Sequence, residues 1–80
     1  MRVLGVDRGL EAYRVAVDHG GRRIAGFVPE ALIGWGRAPH HVAYEWIARH
    51  ERAVRSALID LDAGRTPPAP YDAMTLTGDA

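Results

Sequence analysis

The sequence predicts an α+β fold, with elements in the order β-β-β-α-α-β and a short and a long helix packed on one face of an antiparallel sheet. Three observations carry that expectation. From Pro39 to about Ala63, the residues Val42, Ala43, Trp46, Ile47, Ala53, Val54, Ala57, Leu58 and Leu61 recur at the i, i+3/i+4, i+7 spacing of a helix with one apolar face. From Ala12 to Asp18, Tyr13, Val15 and Val17 alternate with Arg14, Ala16 and Asp18, the period of a half-buried strand. Between that strand and the next lies His19-Gly20-Gly21-Arg22, whose two glycines supply the positive φ angles of a two-residue hairpin turn.

Taken in order, Arg2 to Asp7 reads as a first strand, with Leu4 and Val6 on one face and Val3 and Gly5 on the other. Gly9-Leu10-Glu11 breaks it. After the hairpin, Arg23 to Val28 returns as a third strand, with Ile24 and Val28 opposite Ala25 and Phe27. Pro29 suits the start of a short helix over Glu30-Ala31-Leu32-Ile33, which Gly34-Trp35-Gly36 ends. Arg37-Ala38-Pro39 is an elbow short enough to force adjacent packing.

The long helix is expected to run unbroken from Pro39 to Ala63, burying Val42, Trp46, Ile47, Val54, Leu58 and Leu61. Glu45–Arg49 and Glu51–Arg55 are i, i+4 pairs in the favourable order, each worth about 0.2–0.5 kcal/mol. Gly64 stops the helix and Thr66-Pro67-Pro68 prevents a restart. Tyr71 to Thr77 reads as a closing strand, with Met74 and Leu76 on one face.

Eighty residues make a single domain near the lower size limit for folding on one core. The absence of cysteine removes disulfides and thiolate metal sites. No apolar run approaches the roughly 18–20 residues of a membrane span. The opening is cut short at Asp7, before it could form the apolar stretch of a secretion signal, so a cytoplasmic location is expected.

Ten basic residues, every one arginine, balance ten acidic residues. Nine arginines face six acids before residue 60, and one faces four acids after it. Overall charge therefore announces neither nucleic acid nor membrane, although the asymmetry could orient a partner.

No catalytic set assembles from the spacing. His41 and Glu45 share a helical face with His40 nearby, but a zinc site needs three or four ligands. After His50-Glu51, the second histidine of a zinc-protease helix would fall on Val54. Ser56 is the sole serine and has no base at a triad-like spacing. No cofactor and no metal site is expected. The candidate partner-binding residues are Arg49, Arg52 and Arg55, recurring every three residues away from the apolar seam, with Arg37 upstream and Trp35 either as an exposed aromatic anchor or as a plug at the end of the sheet–helix core. Glu45 and Glu51 interleave with these arginines, so the face is of mixed charge.

The opening Met1-Arg-Val-Leu-Gly-Val-Asp7-Arg-Gly9-Leu10, followed by Val15-Ala16-Val17, resembles the start of the RuvC-type Holliday junction resolvases and their ribonuclease H-like relatives. The resemblance implies a metal-binding carboxylate at Asp7, which matches the aspartate closing their first strand. Arg8 stands where that pattern has proline or valine, and Tyr13-Arg14 where glycine is common. Two-metal cleavage needs several carboxylates converging on ions about 3.5–4 Å apart. The longer sheet and late helix that gather them in those relatives have no room here, so the residues themselves point to Asp7 as the cap of a turn.

Over about residues 12–77, the glycine-turn hairpin, the Glu30-Ala-Leu-Ile-Gly-Trp-Gly36 helix, the aromatic ahead of His50 and the closing strand are similar to a family of small proteobacterial proteins of unknown function. That likeness implies the fold and no catalytic residue.

The function expected is that of a non-enzymatic interaction protein. It would act stoichiometrically on a larger protein or ribonucleoprotein complex, as a phage or mobile-element inhibitor of the anti-CRISPR type blocks target-DNA engagement. The alternative is a nucleic-acid-associated regulator or a degenerate resolvase-like domain binding DNA directly. A monomer and a homodimer are both compatible with the sequence.

Overall fold

The computed structural model describes residues 1–34 and 39–77. Strands β1 (Arg2–Asp7), β2 (Ala12–His19) and β3 (Arg22–Pro29) form an antiparallel meander, and β4 (Thr75–Leu76) adds antiparallel to β3. The sheet order is β1-β2-β3-β4. Helices α1 (Glu30–Ile33), α2 (His40–Arg49) and α3 (Glu51–Asp62) supply the second layer. The α+β class and the antiparallel sheet are those the sequence predicts.

The hairpin turn behaves as its glycines require. Gly20 and Gly21 have φ of 59° and 81°, and His19 pairs with Arg22 across them. That register sets Tyr13, Val15 and Val17 beside Val28, Gly26 and Ile24, so one face of β2 and β3 becomes the floor of the core.

β1 departs from simple alternation. Its pairing with β2 slips between Val3 and Gly5, and Gly5 has φ of 133°. One extra residue in a strand reverses the sidedness of everything beyond it. Val3 therefore pairs with Val15 and Val6 with Tyr13, so both lie against the core, while Leu4 is 42 % exposed. Leu4 and Val6 do not share a face.

The single long helix is also corrected. His50 has φ −105° and ψ 19°, and it divides the segment into α2 and α3. Its ring Nδ1 lies 2.7 Å from the Trp46 carbonyl oxygen, which also accepts the His50 backbone N–H at 3.0 Å. A side chain that bonds a carbonyl one turn back competes with helical pairing and bends the axis.

The bend aims α2 at the sheet through Ala43 and Ile47 and α3 through Val54, Ala57 and Leu58, all buried. Val42, expected in the seam, is instead 40 % exposed, because the α2 face does not continue that of α3. Trp46 and Leu61 are half-buried at the margin of the core.

α3 ends as its glycine directs. Gly64, at φ 79°, donates to the Leu61 carbonyl at 3.1 Å, and the Arg65 N–H reaches the Asp60 carbonyl at 2.7 Å, the pair of bonds of a Schellman motif.

The closing strand is shorter than expected. Tyr71–Ala73 winds into a 3₁₀ turn, with the Ala73 N–H on Pro70 and the Met74 N–H on Tyr71, which leaves two residues to pair. Tyr71 consequently packs at the edge of the core, beside the fully buried Met74.

Candidate interaction surfaces

The helix-side arginines separate into two roles. Arg49 closes α2 and Arg52 lies in the first turn of α3. Both are exposed, without a hydrogen bond or ion pair among the described residues, and stand on either side of the bend at His50. Arg55 is different: its Nη2 donates to the Asp18 carbonyl at 2.8 Å, tying α3 to the end of β2. The expected three-arginine row is therefore a pair of available guanidinium groups and one structural tie. Trp35 and Arg37 lie outside the described residues.

The Trp46 and His50 rings stack with centroids 4.1 Å apart and planes 18° from parallel. Glu45 and Glu51 are exposed around this junction, and Glu51 Oε1 is 3.7 Å from the amino group of Met1. The surface around Arg49 and Arg52 is accordingly mixed in charge.

At the other end of α2, Tyr13 meets His40 and Tyr44 edge-on, each at 6.0 Å between centroids. Tyr13 is buried, and that burial raises its phenol above the ordinary tyrosine range. Glu30 and Tyr44 add to the rise and Arg8 opposes it.

Asp7 does what its place at the end of a strand suggests. Its Oδ1 accepts the Leu10 N–H at 3.0 Å and so caps the turn between β1 and β2. Among the described residues, no group of three or more histidines, aspartates and glutamates converges as metal ligands would. No described helix is long and apolar enough to cross a membrane.

Sequence reasoning passed over the opposite face of the sheet. The residues that alternate with the core positions are Ala12, Arg14, Ala16 and Asp18 on β2, and Arg23, Ala25, Phe27 and Pro29 on β3. Arg14 sits directly across from Phe27, which is flanked on its other side by Thr75 of β4. One row along, Arg2 of β1 pairs with Ala16, and Ala16 with Ala25.

Arg2, Arg8, Arg14 and Arg23 are all exposed and have no hydrogen bond or ion pair among the described residues. Arg22 and Arg65 are paired, with Asp62 at 3.1 Å and Asp60 at 3.0 Å respectively. The signal for this face was already in the sequence. A two-residue turn at Gly20-Gly21 fixes Arg14 opposite Phe27 once the register is counted outward.

Two shallow hollows open on this side. One, of about 170 Å³, is lined by Met1, Arg2, Ala16, Val17, Asp18 and Arg23. The other, of about 400 Å³, is lined by Leu4, Gly5, Val6, Asp7, Arg8 and Arg14. Each is walled by two arginines.

No family model, no curated protein and no solved structure matches this chain. The likenesses noted from sequence rest on the residues quoted for them.

Proposed function

We propose that this protein works without chemistry, as a stoichiometric interaction module that occupies a surface on a larger protein or ribonucleoprotein complex. In the most specific form of this reading it is a phage or mobile-element inhibitor of the anti-CRISPR type, which keeps an effector complex from engaging target DNA. The observation that carries it is the disposition of Arg49 and Arg52. They stand exposed on either side of the helix bend, without a side-chain partner among the described residues and interleaved with Glu45 and Glu51.

A patchwork of both signs complements another protein's patchwork better than it complements a uniform polyanion. Trp46 and His50, stacked in the same junction, give that patch a rigid, half-buried aromatic centre of the kind that anchors interfaces. Asp7, the one carboxylate on which a resolvase-like reading turns, is engaged in capping a turn.

The test is a titration of the protein into a purified effector complex, read by mobility shift of its target DNA. Inhibition should saturate near one protein per complex and survive moderate salt. Arg49→Glu with Arg52→Glu should abolish it, whereas truncating the same residues to alanine should only weaken it. Inhibition at far below equimolar protein, or micromolar binding of duplex DNA at physiological salt with no protein partner, would overturn this reading.

A further inference from the structure

We infer that the helix-free face of the sheet is a binding platform for single-stranded nucleic acid, with Phe27 as the stacking surface for a base and Arg2 and Arg14 as phosphate contacts. The inference concerns a different surface from the helix junction and stands or falls separately from it.

Phe27 is on β3, one of the two interior strands, and is half-buried, so its ring is held in place while part of it remains accessible. Apart from Arg14 directly across from it, its neighbours in the sheet are short: Ala25 and Pro29 on its own strand, the buried Ala16 one row away and Thr75 beside it. An aromatic ring set in a floor of small side chains is a shelf on which a planar base can lie. All four bases present the same π-face, so such a shelf is tolerant of sequence.

The charge around the shelf is complementary to a phosphate backbone. Four arginines without a side-chain partner among the described residues reach this side, Arg2, Arg8, Arg14 and Arg23, against Asp7 and Asp18. Asp7 lines one hollow with Arg8 and Arg14, and Asp18 the other with Arg2 and Arg23, so arginine outnumbers aspartate in each.

Their placement is also periodic. Arg14 shares a row with Phe27, and Arg2 lies in the next row with Ala16 and Ala25. Successive rows on one face are two residues apart, about 6.6 Å at strand rise. A strand crossing the sheet from β3 towards β1 would meet the ring, then the Arg14 guanidinium, then Arg2 one row along. The two hollows leave room for sugar and phosphate against Arg2 and Arg14.

A duplex cannot use this arrangement, because its bases show edges and not faces to a flat surface. An acidic peptide could meet the arginines but has no planar group at each step to lie on Phe27. Single-stranded RNA or DNA satisfies both requirements at once.

The test is fluorescence-anisotropy binding of labelled single-stranded oligonucleotides to the full chain at low and physiological salt, with duplex of the same sequence and poly-glutamate as competitors. Single strands should bind and duplex should compete poorly. Phe27→Leu, which keeps an apolar side chain but removes the ring, should weaken binding about 5- to 100-fold, and Phe27→Tyr should restore it. Arg14→Gln and Arg2→Gln should each flatten the log–log salt dependence by about 0.7.

Arg49→Gln with Arg52→Gln, on the helix side, should leave single-strand binding within about twofold, which separates this inference from the junction reading. A circular-dichroism melt of each variant distinguishes lost binding from lost fold. Duplex binding equal to single strand, indifference to Phe27→Leu in a folded variant, or displacement by poly-glutamate as effective as by oligonucleotide would each overturn the inference. The last of these would assign the face to an acidic polypeptide.

Discussion

Gly26→Ala should destabilise this protein by about 2–4 kcal/mol, and the structure gives the reason in three parts. Gly26 lies in the middle of β3 with its missing side chain directed at the core. A Cβ built there would sit 2.5 Å from Leu58 Cδ2 and 2.6 Å from the Thr75 carbonyl oxygen. Leu58 could turn away, but the Thr75 oxygen belongs to the β4 backbone and can move only if that strand moves. Overpacking of this kind costs about 1–3 kcal/mol.

β4 is also weakly held. It pairs at two positions, with the Thr77 N–H on the Ala25 carbonyl at 3.0 Å as a further tie, and net backbone hydrogen bonds contribute about 0.5–1.5 kcal/mol each. Against this, replacing glycine by alanine restricts the unfolded chain and returns about 0.4–1 kcal/mol. Urea denaturation should show the midpoint falling by about 2 M or more at a slope near 1 kcal/mol/M. Hydrogen exchange should show the Thr77 amide losing protection before the β2–β3 amides do. In the double variant with Leu58→Ala, the two costs should sum to less than their separate values, since one of the two clashing groups is gone. A Gly26→Ala protein as stable as the parent, or more stable, would refute the close-approach argument.

Other outcomes follow from the same contacts. Trp46→Ala should cost about 1–3 kcal/mol, less than the 3–5 kcal/mol of a fully buried aromatic, because Trp46 is half-buried and its ring is shared between the core margin and His50; a thermal melt checks this. Asp7→Asn should cost no more than about 1 kcal/mol, since the amide oxygen can still accept the Leu10 N–H, and neither protein should cleave branched or single-stranded DNA with Mg²⁺ or Mn²⁺. Tyr13 should ionise above the ordinary tyrosine value in an alkaline titration read at the phenolate absorbance. Its folded-state value lies above its unfolded one, so its contribution to stability is full below the unfolded value near 10 and is lost as pH rises through the folded value. The unfolding midpoint should therefore decline above about pH 10 in the parent, and less so in Tyr13→Phe.

What could be read from the sequence and what could not divide along physical lines. Period and turn chemistry are local, so β2, the Gly20-Gly21 hairpin, β3, the four-residue α1 and the Gly64 stop all stand where their residues place them. The β1 bulge was hidden because Leu4 and Gly5 read equally well in an alternating strand. Only pairing with Val15 and Tyr13 decides where the extra residue goes. The break at His50 was hidden because the apolar stripe continues across it, and a side-chain bond to the Trp46 carbonyl leaves no trace in periodicity. The same break explains Val42, whose exposure follows from α2 being aimed separately from α3. Arg55 looked like its neighbours Arg49 and Arg52 in spacing. Its tie to the Asp18 carbonyl depends on a contact 37 residues away in sequence.

The bend at His50 also bears on how the two candidate surfaces relate. An unbroken helix would carry Arg49, Arg52 and Arg55 along one stripe, with Glu45 and Glu51 interleaved. Broken at His50, with Arg55 drawn down onto β2, the helix side shows two arginines among Glu45 and Glu51, and its cationic character is diluted. The arginines without a side-chain partner among the described residues are Arg49 and Arg52 on the helix side and Arg2, Arg8, Arg14 and Arg23 on the side of the sheet without helices. There β-strand alternation sends Arg2, Arg14 and Arg23 away from the core in company with Phe27. The overall charge is zero, yet its distribution is not symmetric about the sheet. A mixed patch and a cationic aromatic patch therefore lie in different layers of one small domain, where a ligand on one need not exclude a ligand on the other.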